Sequence, residues 1–99
     1  DEAAAAARGA VDAPPQDAAA LDTDGWVSYL RGETRRAIQS LEAAVKLAPH
    51  RGTTLFHLGM AYARHGDADR ARATLQRAVE LAPQELFVDT AQQILRKLR

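Results

Sequence analysis

The chain contains no cysteine. Disulfide staples and thiolate metal sites are therefore excluded, and either a reducing or an oxidising compartment is compatible with the composition. Net charge is also lacking, with 13 basic residues against 13 acidic ones, mixed along the whole length. A nucleic-acid binder normally carries a basic stripe that displaces phosphate counterions, so no nucleic-acid partner is expected. No run approaches the roughly 18 apolar residues needed to cross a bilayer, and membrane insertion by this segment is not expected. Asp1 and Glu2, followed by Ala3 to Ala7, supply neither a basic n-region nor an apolar h-region, so they do not read as a signal peptide. No targeting segment distinguishes cytoplasm from periplasm. The absence of an initiator Met leads us to expect a longer parent polypeptide. A Gly-rich phosphate loop, a Cys–His pair and a helical HExxH are all missing, and neither catalysis nor a cofactor is expected.

What remains is enough for one small helical domain. Ninety-nine residues, 46% of them hydrophobic, can bury a core. Ala and Arg are abundant while Lys, Asn and Ile are scarce, a bias that points to a GC-rich bacterial source.

The chain repeats itself. Pro15, Pro49 and Pro83 are equally spaced, and Gly32/Gly66, Ala37/Ala71, Leu41/Leu75, Ala44/Ala78 and Leu47/Leu81 keep the same interval. The stretch AIQSLEAAVKLAP (37–49) aligns without gaps on ARATLQRAVELAP (71–83). Each period reads as two helices. Leu55, Leu58, Gly59 and Tyr62 fall on one face of a first helix. Gly66 suits a left-handed helix end and Asp67 an N-cap. Ala71, Leu75, Ala78 and Val79 give the second helix its apolar face, and Pro83 closes the unit. The small residues Gly59, Ala71 and Ala78 allow two antiparallel backbones to approach closely.

These positions carry a resemblance. Leu55, Leu58, Gly59 and Tyr62, then Gly66, Ala71, Leu75, Ala78 and Pro83, look like the tetratricopeptide repeat. The copy at 18–51 matches well in its second helix and less well in its first, where Asp24 stands at a position for a large apolar residue. The segments LDTDGWVSYLRGE and FHLGMAYARHGD also resemble a block of bacterial repeat proteins near the C-terminal end of the array. The resemblance implies an all-α, right-handed solenoid of antiparallel helix pairs, about two and a half repeats plus a C-terminal capping helix. In the same register, 1–15 reads as the second helix of a partial preceding repeat or an Ala-rich linker. Repeats are expected at 18–51 and 52–85. Over 86–99 a cap is expected, with Phe87, Ala91, Ile94, Leu95 and Leu98 inward and Asp89, Gln92, Gln93 and Arg96 outward. The Ala-rich start buries little area, so support from upstream repeats or from a second copy is expected.

In stacked repeats of this kind the first helices line a concave groove. That implies a partner-binding surface of Asp22, Trp26, Tyr29, Leu30, Phe56, His57, Met60 and Arg64, suited to an amphipathic helix or an extended peptide. Trp26 and Phe56 also read as packing between successive first helices. The clamp that holds chaperone C-termini in the family uses Lys and Asn where Asp22 and Trp26 stand, and Asn where His57 stands, so chaperone docking is not expected. The spacing of His50, His57 and His65 does not converge on a metal. Asp24 with His57 lacks a nucleophile or oxyanion donor. We expect Asp24 to pair instead with an Arg such as Arg8, and Asp24→Leu to be neutral or stabilising. The charged residues of the second helices, among them Arg35, Arg36, Glu42, Arg70, Arg72, Arg77 and Glu80, are expected to be a solvated face. The functional expectation is a scaffold that binds another protein or peptide in a bacterial assembly, secretion or export system. Self-association through the Ala-rich edge, and regulation of a larger enzyme, are the alternatives.

Overall fold

A computed structural model describes residues 17–98; the reading of 1–15 as a partial helix, and Arg8 with it, lies outside that range. Five α-helices follow one another: α1 (Ala18–Leu30), α2 (Thr34–Leu47), α3 (Gly52–His65), α4 (Ala68–Leu81) and α5 (Val88–Lys97). There is no strand among the described residues.

Turn chemistry determines where each helix stops. Gly32 and Gly66 adopt φ +83° and +92°, a left-handed conformation that costs glycine nothing. In both turns the chain closes identically. The N–H of Glu33 donates to the Ser28 carbonyl (2.8 Å) and that of Asp67 to the Tyr62 carbonyl (3.0 Å), satisfying otherwise orphaned helix-end groups. Asp17 and Asp67 accept from the backbone N–H of Ala19 and Arg70 at the starts of α1 and α4. Before Pro49 and Pro83 the backbone of Ala48 and Ala82 leaves the helical region, with φ −143° and −140°, because the proline ring disfavours helical geometry in its predecessor.

Packing follows from the small residues. Gly25 in α1 lies so close to α2 that a Cβ there would stand 2.5 Å from Leu41 Cγ. Gly59 in α3 stands in the same relation, at 2.5 Å, to Leu75 Cγ of α4. Further along, a Cβ on Gly52 would meet Ala82 at 2.6 Å. Contacts therefore run from the start of α3 to the end of α4 and from its middle to the middle of α4, the pattern of an antiparallel pair. Leu41 and Leu75 are fully buried against these glycines. One cluster joins Tyr29, Ala37, Leu41, Leu58, Ala61, Tyr62 and Ala71 across α1 to α4. A second joins Leu55, Phe56, Leu75, Ala78 and Ala91, with Phe87, Ile94 and Leu95 packed on it, so α5 closes the end of the core while Asp89, Gln92, Gln93 and Arg96 face solvent.

Several polar residues differ from their sequence reading. Asp24 pairs with Arg36 (3.0 Å) and accepts from the Ser40 hydroxyl (2.5 Å), both on α2. The Arg expected beside this acid is thus Arg36 of α2, while Arg8 lies outside the described residues. Those two bonds, Ser40 first, hold its carboxyl below the ordinary carboxylate range. Of the charged residues of α2 and α4, Arg35, Arg36, Arg70, Arg77 and Glu80 are exposed as expected, whereas Glu42 and Arg72 are half-buried. Glu42 accepts from the Tyr62 hydroxyl. Arg72 donates to the Leu98 carbonyl at 2.9 Å and ties α4 to the end of α5. Arg70 pairs with Asp67 at 3.4 Å. The repeat period places these residues on the second helices but does not identify their partners on neighbouring ones.

Candidate functional site

The first helices of the two pairs, α1 and α3, carry the residues read as a groove, and the structure brings most of them together. Trp26 stacks on Tyr29, further along α1, with centroids 4.7 Å apart and planes 6° from parallel. Its ring also stacks on the His57 imidazole from α3, at 4.1 Å and 18°. Phe56 tilts against Trp26 at 6.3 Å and stacks on Phe87, just before α5, at 4.8 Å. At the opposite end the Arg64 guanidinium lies over the Tyr29 ring, 3.6 Å from its centroid. A row of flat groups therefore runs Arg64, Tyr29, Trp26, His57, with Phe56 and Phe87 continuing it towards the cap.

Two polar contacts cross from one repeat to the next. Asp22 of α1 and Nδ1 of His57 on α3 share a hydrogen bond of 2.7 Å, their side chains only 9% and 15% exposed. Arg64 Nη1 donates to the Tyr29 backbone carbonyl. Buried acids persist only when paired, so His57 is what allows Asp22 to lie on the floor of the row. It does not pair with Asp24, whose carboxylate turns to α2.

The candidate residues divide by exposure. Asp22, Tyr29 and Phe56 are buried, Trp26, His57 and Met60 half-buried, and Leu30 and Arg64 exposed. Trp26 and Met60 rest on the core cluster below them. Tyr29 and Phe56 thus form a floor, and only the outer surfaces of Trp26, Met60, Leu30 and Arg64 are open to a ligand. Sequence reasoning assigned Phe87 to the apolar side of the cap, although its stack on Phe56 also extends the row. The signal for that was its aromatic character at the junction preceding α5.

His50 lies in the turn before α3 and His65 at the end of that helix, both exposed, with His57 half-buried between them. Among the described residues no group of three or more His, Asp or Glu side chains is placed to hold a metal ion. No helix among them is long and apolar enough to cross a membrane.

Paired helices, left-handed glycine turns one period apart and glycines pressed on leucines at the same interval define a helical repeat protein. The family model for the tetratricopeptide repeat matches residues 29–85, more than half of the chain, and the chain belongs to that family. The matched span runs from Tyr29 through α2, α3 and α4 to the turn beyond Pro83. No curated protein matches the chain. Repeats of this family generally mediate protein–protein interaction, and the family is typically a non-catalytic scaffold.

Proposed function

We propose that this chain holds a partner polypeptide along the row formed by α1 and α3. The observation that carries the reading is the stack itself. Tyr29, Trp26 and His57 are locked face to face before any ligand arrives, so little side-chain freedom remains to be lost on binding. Aromatic anchors and a thioether form an adaptable apolar surface, and here Met60 and Trp26 both pack on one core cluster. The buried Asp22–His57 pair adds rigidity across the repeat junction. The compositional bias and the resemblance of LDTDGWVSYLRGE and FHLGMAYARHGD to bacterial repeat proteins support a role in an assembly, secretion or export system.

A photo-crosslinking amino acid placed at Leu30 or at Met60 tests this directly, with Gln39 and Gln76 on the second helices as controls. In cells of the source, Leu30 and Met60 are expected to capture a distinct partner that Gln39 and Gln76 do not, and Trp26→Ala combined with Met60→Ala is expected to abolish the capture from Leu30. Equal capture from all four positions, or capture that survives the double substitution, contradicts the reading.

Self-association is the second reading, and one observation favours it. Val27 is 45% exposed on α1, whereas its equivalent one period later on α3, Ala61, is fully buried against the preceding pair. Light scattering at rising concentration separates the two, since only self-association gives a mass that grows with concentration.

A further inference from the structure

We propose that the segment seated on this row is acidic: a side-chain carboxylate of Asp or Glu engages Arg64, and a large apolar residue within about one helical turn of it covers Leu30 and Trp26. This deepens the groove reading and rests on it.

Arg64 is the basis. Its guanidinium is held twice, by the face of Tyr29 at 3.6 Å and by the bond from Nη1 to the Tyr29 carbonyl. A guanidinium has five N–H donors, and among the described residues this one spends a single donor, on the Tyr29 carbonyl. The stack occupies its flat face and leaves the edge, where a carboxylate binds through two parallel bonds. Both restraints fix the fork in advance, so a carboxylate meets an oriented donor pair.

The surroundings favour an acid from outside the chain. Arg64 forms no ion pair with any described residue within 4.0 Å. Asp22, the acid in the row, is already bonded to His57 and is not free to turn towards it. Asp24 is bound to Arg36 and Ser40 on α2. The row therefore offers an exposed cation with its own acids taken. Immediately after Tyr29 stands Leu30, 65% exposed. It lies about one helical turn from Trp26, so the two share a face of α1. Charge and apolar surface thus sit side by side, and a ligand complementary to both carries an acid and a large apolar residue at matching distance.

Selection from a library of short random peptides, displayed with their C-termini fused to a carrier so that every carboxylate is a side chain, decides the matter. Wild type is expected to enrich peptides with Asp or Glu within about one helical turn of Leu, Phe or Trp. A selected peptide is expected to lose about tenfold in affinity with Arg64→Gln, the scale of one charge-assisted contact, and less with Arg64→Lys, while Trp26→Ala abolishes binding. The helical circular dichroism of each variant is the control for folding. Peptides that need Trp26 but show no acidic preference, or whose affinity ignores Arg64→Gln, overturn the acidic partner and leave the groove reading standing. No enrichment at all, or enrichment indifferent to Trp26→Ala, overturns both.

Discussion

Tyr62 shows how much one side chain can contribute at a helix crossing. Its ring lies in the core cluster of both repeats, and its hydroxyl reaches out to Glu42 on α2. Burial first, and then the carboxylate it donates to, push its phenol from 10.0 up to about 12. The neutral phenol is thus favoured by folding. The stability it contributes is whole below about pH 10, and it falls away as the pH rises from there through about 12. Tyr62→Phe keeps the ring and loses the bond. It is expected to cost roughly 0.5–1.5 kcal/mol at neutral pH, and to flatten the decline in melting temperature between about pH 10 and 12. Parallel alkaline declines in the two proteins would rule out this role. The period gave Tyr62 a place on the core face, but its bond to Glu42 joins different repeats and no spacing within one unit encodes it. Asp22 with His57 and Tyr29 with Arg64, which also bridge the two repeats, were illegible for the same reason: the repeat specifies which face a residue occupies, not which neighbour it meets.

At the level of the helices, comparing the copies is more informative than either copy alone. Thr54 on α3 is fully buried, and its hydroxyl finds no hydrogen-bond partner among the described residues. Its equivalent in the first copy is Ala20, which has no hydroxyl to satisfy. An orphaned buried hydroxyl costs free energy that a methyl does not. Thr54→Val is therefore expected to stabilise the protein by about 1 kcal/mol, raising the melting temperature by a few degrees. A lowered melting temperature would mean that the hydroxyl has a partner. Helix ends were the most legible part of the chain, because Gly32, Gly66, Asp67 and the prolines each act through their own backbone or a residue nearby. The inward face of α5 was legible as well, since Ala91, Ile94 and Leu95 recur at helical spacing. Phe87 was only half legible: its apolar character was plain, yet its stack on Phe56 depends on how the turn after Pro83 brings the cap back over α3.

Taken whole, the molecule is shaped by one contact made twice. Gly25 against Leu41 and Gly59 against Leu75 have the same 2.5 Å spacing to a virtual Cβ, and they recur exactly one period apart. Each lets a first helix sink onto its second, which brings α1 and α3 side by side and lines up Trp26 with His57. The proposed binding surface is in this sense a consequence of two glycines that lie beneath it. A double-mutant cycle of Gly59→Ala and Leu75→Ala, followed by denaturant unfolding in a fixed concentration of stabilising osmolyte, probes the contact directly. Alone, Gly59→Ala is expected to cost roughly 1–3 kcal/mol by overpacking, and Leu75→Ala roughly 2–5 kcal/mol by leaving a cavity. If the helices nest through this pair, the added methyl fits the space vacated by the leucine, and the double variant is more stable than the sum by at least about 1 kcal/mol. Additive losses, or a Gly59→Ala that unfolds like wild type, would contradict the nesting on which the surface depends.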